Sequence, residues 1–379
     1  MWAFGVFFKP LEQEFGWNRA LVSSGFTAFL IGFGLSAIIT GRLADKYSPR
    51  PILFLSALLA GAGTSLCSQV HSINQLRIFL LIGGLGGGAT WSVPVPTVQR
   101  WFNSRPKAGL ALSTVVSGVG VGGLIFAPLI NHLIMRYGWR NAYLVVGILY
   151  FLVIAIAAIV IKPSPQEGGG IVAKKEQNLR DSSEVAPFSA RKVALTPCFT
   201  GITYVHCTVV LSFQIMVVHL VPYATDVGIS PTVSAGALGL FGGLSVPGRF
   251  LSGLIADRFS WQKLLAGSLF GMGLSLPLLL FLQKAWMLYC FVLFFGICHG
   301  CRSSSHVGLL GEFFGMHPLG TLIGITTAAG MLVSAFAPYA AGFVFDVTGS
   351  YFIVLTILMG MLLIGGIITS LIKAPAYRL

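Results

Sequence analysis

The chain has 379 residues, of which 55% are hydrophobic and 9% charged, with a mean hydropathy of +0.85. A soluble domain carries about a quarter charged residues, so a water-borne globular protein is excluded and most of the chain is expected inside a lipid bilayer. The 24 Lys and Arg against 11 Asp and Glu leave a formal charge of +13; because the bases sit in short loops beside apolar runs, they read as topology signals and not as a surface for nucleic acid.

In chain order, the apolar runs predict an all-α membrane protein with helices over 18–40, 51–69, 75–99, 107–134, 140–161, 197–225, 232–256, 263–282, 285–310, 319–344 and 350–372. Most of these reach the ~20 residues needed to cross about 30 Å of hydrocarbon. Met1 to Leu11 comes before them and is apolar, yet it covers only about 16 Å, roughly half a bilayer. Between 163 and 196 the pattern changes to Gly168-Gly169-Gly170 and mixed charges with little to bury. That composition predicts a flexible tether separating a first half, 1–162, from a second half, 197–379. If the loop Gly41–Arg50 faces the cytoplasm, the bases of one side (among them Arg42, Lys46, Arg50, Arg100, Arg105 and Arg258) outnumber those of the other. The positive-inside rule then places the tether in the cytoplasm, and with it both termini of the complete protein.

The halves echo each other. GRLADKYSPR, Gly41–Arg50, returns as GLIADRFSWQ, Gly253–Gln262, with Asp45 and Asp257 in the same slot. Phe126-Ala127-Pro128 returns as Phe336-Ala337-Pro338, and Tyr137-Gly138 as Thr348-Gly349. Repetition in apolar segments and in the loops between them marks a duplicated membrane bundle, an architecture used by transporters. The six cysteines lie in apolar segments, which argues against a disulfide framework. Cys298-His299-Gly300-Cys301 has metal-like spacing without a second ligand pair, so no metal is expected. Gly118 to Gly123 has the look of a dinucleotide loop but lacks a preceding strand, and close helix packing is the expected role. With no nucleophile–base pair and no cofactor loop, neither an enzyme nor a cofactor is expected.

At GRLADKYSPR the chain resembles the major facilitator superfamily. GVFFKPLEQEFGW (5–17), QRWFNSRPKAGLAL (99–112), YGWRNAY (137–143), HLVPYATDVGIS (219–230) and FDVTGSY (345–351) further resemble its monocarboxylate transporter family, including the bacterial branch. The resemblance implies two pseudo-symmetric six-helix bundles, alternating access, and a small organic anion as substrate. It also implies a multi-pass protein of the bacterial inner membrane acting as a monomer. Relatives have a full helix 1 before the GVFF segment, so this chain is expected to begin partway through it.

Several residues are candidates for function. An arginine within a span costs about 2.5–3.5 kcal/mol on insertion scales, so it is expected to face a partner or a cavity. Arg249 and Arg302 are two such residues, and the guanidinium fork matches a carboxylate. The resemblance makes Arg249 the substrate contact, with Arg302 beside it as in oxalate/formate antiporters. Many relatives carry an acid where this chain has Ser245, which leaves His219 as the candidate for proton coupling. Trp91 is a candidate wall of the substrate cavity. Gly41, Asp45, Arg50, Asp257 and Arg258 are expected to form the gating loops. His206, His299 and His306 are expected to be structural. Lactate- or pyruvate-like monocarboxylates are the expected substrates; the alternatives are oxalate-type dicarboxylate exchange and a membrane sensor that transports nothing.

Overall fold

The computed structural model describes residues 4–44, 47–102, 108–162, 193, 196–256, 258–314 and 319–374. The first half comprises α1 (Phe4–Phe15), α2 (Arg19–Ala44), α3 (Pro49–Leu66), α4 (Ile73–Gly87), α5 (Ala89–Ser92), α6 (Pro94–Phe102) and α7 (Ala108–Val160). The second comprises α8 (Pro197–Asp226), α9 (Pro231–Ala256), α10 (Trp261–Ser275), α11 (Pro277–Leu280), α12 (Ala285–Phe314), α13 (Leu319–Ala335), α14 (Ala337–Thr348) and α15 (Phe352–Leu371). Among the described residues, ten helical segments are long and apolar enough to cross a membrane.

One of the ten, Thr114–Val160, has 47 residues, about twice what one crossing needs. It is two crossings joined at Gly138, whose φ of 80° and ψ of 161° interrupt the helical backbone. The predicted break between 107–134 and 140–161 falls there. Its counterpart in the second half, Gly349, has φ 69° and ends α14. Side chains disfavour a positive φ and glycine does not, so each repeated pair sets a glycine where the chain turns, with ψ 161° at Gly138 and 8° at Gly349. Proline accounts for other interruptions: Pro94, Pro277 and Pro338 stand at the starts of α6, α11 and α14, where a missing N–H costs nothing.

In lipid, helices gain little from burying more hydrocarbon, so small residues that admit close approach decide packing. A Cβ on Gly84 of α4 would lie 2.1 Å from the Phe29 carbonyl oxygen of α2. A Cβ on Gly120 of α7 would lie 2.6 Å from the Gly242 oxygen of α9, so this glycine of the 118–123 run does pack helix on helix, across the two halves. Large apolar side chains such as Leu254, Leu332 and Val347 point outward, as a lipid-facing surface requires.

The gating loops are only partly described. Asp45 and Asp257 lie outside the described residues, as does nearly all of the expected tether. Arg50 Nε donates to the Ile161 carbonyl at 2.9 Å and Trp101 Nε1 to the Lys162 carbonyl at 2.9 Å. Both satisfy orphan acceptors at the end of α7, where a cation also suits the helix dipole. Gly41 passes Ser92 at ordinary contact distance, and Arg258 is exposed.

Candidate functional site

Arg249 lies in α9, two turns from its end, and Arg302 lies near the middle of α12. The two helices interlock. A Cβ on Gly248 would lie 2.2 Å from the Ile297 oxygen, and one on Gly300 would lie 2.2 Å from the Ser245 oxygen. The Cys301 thiol donates to the Gly248 carbonyl at 3.1 Å, and the two guanidinium groups repel each other across this seam. Arg249 donates from Nη1 to the Val116 carbonyl of α7 at 2.9 Å. Arg302, 6% exposed, donates from Nη1 to His206 Nδ1 of α8 at 3.3 Å. Both Nε atoms are buried without a partner. Among the described residues neither arginine has a carboxylate partner.

Histidines surround Arg302. His206 and His306 have ring centroids 4.4 Å apart. His299 stacks on Phe213 at 5.0 Å, and its Nδ1 is buried and unpartnered. Sequence reasoning left these three as structural; their only signal was their residue type, because α8 and α12 are distant in the chain. Ser245 lies in the seam, its hydroxyl donating to the Gly242 carbonyl at 2.7 Å.

A cavity of about 390 Å³ lies in the first half. Trp91 lines it with Phe7, Phe29, Tyr143 and Tyr150, and Gly118 and Gly122 open its wall. Neither Arg249 nor Arg302 is part of that lining. The cavity offers aromatic surface and the arginine seam offers charge, in different halves.

At the end of the bundle opposite the signature loops, a third cluster joins the halves. Arg19, the first residue of α2 and 3% exposed, bonds Glu12 at 3.1 Å, Asp226 and the Tyr351 hydroxyl at 2.9 Å. Its guanidinium carbon lies 3.6 Å from the centre of the Phe345 ring, a desolvated cation–π contact. Lys9 bridges Glu12 at 2.9 Å and Asp226. Asp346 caps the start of α2, accepting from the Arg19 and Ala20 amides at 2.9 and 2.8 Å. His219 belongs to this seal and not to the arginine seam: Tyr351 lies 2.7 Å from Nδ1 and the Pro338 carbonyl 2.8 Å from Nε2. In the sequence Arg19 is one more base beside an apolar run and reads, like the others, as a topology signal. The structure corrects this: Arg19 is a buried hub between halves. On the same end, Glu14 accepts from Arg140 at 2.6 Å and from the Trp139 indole. Arg140 in turn donates to the Ser68 and Val70 carbonyls at 3.1 Å, which gives YGWRNAY and LEQEFGW their joint purpose.

Two repeated helical bundles, sealed together at one end and holding buried cations between membrane helices, define a secondary transporter. Comparison with known proteins agrees. The chain matches the Major Facilitator Superfamily over residues 1–338, and it belongs to that superfamily. Monocarboxylate transporter 13 of Rattus norvegicus is 26% identical over 352 residues, 92% of this chain and 79% of that one. The oxalate:formate antiporter of Oxalobacter formigenes is 27% identical over 262 residues, 68% of this chain and 59% of that one. The crystal structure of a D-xylose-proton symporter superposes with a TM-score of 0.76 at 16% identity, covering 97% of this chain and 93% of the symporter.

Proposed function

We propose that this transporter carries small monocarboxylates of the lactate or pyruvate kind by alternating access, with Arg249 as the principal contact to the carboxylate. The observation that carries this reading is the pair of arginines whose Nε–H donors are buried without a partner. A buried donor left unmade costs about 1–3 kcal/mol, more when charged, and a carboxylate is the group that fits the fork. Similarity to monocarboxylate transporter 13 supports the substrate class. In this reading the segments 1–162 and 197–379 rock about the site, the tether 163–196 keeps them together, and the Arg19 seal closes the end away from the signature loops. The protein acts as a monomer in the bacterial inner membrane, with the signature loops facing the cytoplasm.

A specific observation favours oxalate-like dicarboxylate exchange as the second reading: Arg302 is more buried than Arg249 and supplies a second open donor. Counterflow in proteoliposomes loaded with lactate, pyruvate, formate or oxalate separates the two. A monocarboxylate transporter shows lactate or pyruvate exchange that Arg249→Ala abolishes and Arg302→Ala weakens. A dicarboxylate exchanger shows oxalate exchange that needs both. Wild-type counterflow by Arg249→Ala overturns both, and absence of exchange with every carboxylate tried overturns the substrate class.

A further inference from the structure

The histidines beside Arg302 have tautomers fixed by their partners. A guanidinium only donates, so His206 Nδ1, 3.3 Å from Arg302 Nη1, is an acceptor and its proton sits on Nε2. The Thr326 hydroxyl donates to the Ile323 carbonyl at 3.1 Å and therefore accepts from His306 Nε2 at 3.3 Å. His306 thus also carries its proton on Nε2, and its Nδ1 is a bare lone pair, buried and without a partner. His306 is 2% exposed.

The cation that touches this pair is Arg302 of α12, through its bond to His206; Arg249 of α9 lies across the seam from it, and His299 shares the α12 helix. The α13 face contributes the Thr326 hydroxyl and Gly330, which carry no charge. Arg302 has no anion beside it among the described residues, so a second positive charge on either ring would face it directly. A carboxylate on the arginines reverses that field, and once Arg302 turns its N–H toward the carboxylate, His206 Nδ1 is released as well.

We propose that His306, with the His206 ring tilted against it 4.4 Å away, is the proton site that couples to carboxylate binding. The inference rests on the reading that Arg249 and Arg302 bind a carboxylate. One proton from water forms an N–H bond at an open Nδ1 as the anion enters, and it returns to water when the anion leaves. With a monocarboxylate and its proton bound, the site then carries the same net charge as when it is empty. His219 is unsuited to this role: both of its ring nitrogens are already bonded within the seal.

By linkage, anion and proton must each strengthen the other's binding by the same factor. Calorimetric titration of the purified full chain with lactate, and separately with oxalate, in two buffers of different ionisation enthalpy reads the protons taken up per anion. Near neutral pH the wild-type protein is expected to take up close to one proton, and His219→Gln to do the same. His306→Gln is expected to bind the anion with uptake near zero, and His206→Gln with reduced uptake. In proteoliposomes, His306→Gln should retain counterflow and lose accumulation driven by a proton gradient. Carboxylate binding by the wild type without proton uptake overturns the inference and needs no variant to fold. Unchanged uptake in both His306→Gln and His206→Gln overturns it as well. If neither anion binds, the carboxylate reading itself falls, and the inference with it.

Discussion

Replacing Arg19 by alanine tests how firmly the seal holds the halves together. The substitution removes ion pairs to Glu12 and Asp226, the hydrogen bond to Tyr351 and the contact with Phe345. Breaking a fully buried ion pair costs about 3–5 kcal/mol because the surviving charge is stranded. Here the survivors are not stranded: the Glu12 and Asp226 side chains are 23% and 27% exposed and keep Lys9 between them. The loss is therefore nearer that of one hydrogen bond to a charged group, about 1.5–3 kcal/mol. At about 1.4 kcal/mol per tenfold, the sealed state loses roughly ten- to a hundredfold in population relative to the state open at this end. Ser23, buried in the seal within 3.4 Å of His219, reports the change. Ser23→Cys, in a background lacking the six native cysteines, is labelled by a membrane-impermeant maleimide in vesicles with this end outward. Arg19→Ala should raise the labelling rate about tenfold or more, and Arg19→Lys should raise it less. An equally slow rate in Arg19→Ala and its parent refutes the view that this network holds the end shut.

Arg249→Lys keeps the charge but loses the fork; lactate-induced thermal stabilisation should vanish while the melting temperature without ligand stays within a few degrees of wild type. Gly120→Leu forces side-chain atoms into the α7–α9 seam and should cost about 1–3 kcal/mol, read as a lowered melting temperature in detergent, whereas Gly118→Ala, with nothing within 4 Å of its Cβ, should be near neutral. The Trp139 indole and Arg140 hold the Glu14 carboxyl below the usual carboxylate range. A depressed carboxylate contributes stability that is present above its ordinary pKa and lost as pH falls through its folded value. The drop in melting temperature between about pH 6 and pH 3 should accordingly be smaller in Glu14→Gln than in wild type, and an identical drop counts against the pairing.

Much of the architecture is legible in the sequence because a bilayer dictates both the length of a span and the chemistry of its ends. The break at Gly138 could be placed because its apolar run is too long for one crossing and its repeat partner, Gly349, marks the same spot. Arg249 and Arg302 stood out because charge inside hydrocarbon is costly wherever it lies. Arg19 did not, because a base at the first position of a span is cheap near headgroups, and topology accounts for it. Its role depends on Asp226, Asp346 and Tyr351, some two to three hundred residues away, and no local pattern announces such a meeting. Trp91, flanked by Thr90 and Ser92 and followed by Pro94 and Pro96, was legible as a candidate cavity wall, and it does line the cavity of the first half. The proton-bearing nitrogens of His206 and His306 were not, since a tautomer is set by neighbours in space.

The glycine contacts between α9 and α12 have a mechanical side. Backbone resting on backbone at Gly248 and Gly300, tied further by the Cys301 thiol, makes these two helices one stiff plate that carries both arginines. The spacing of their backbone anchors is then set by the plate and not by the tilt of one half against the other. A carboxylate bound there travels with the plate and meets the same donors whichever mouth admitted it. Affinities measured from the two sides of the membrane should agree closely, and the direction of net flow is left to the gradients.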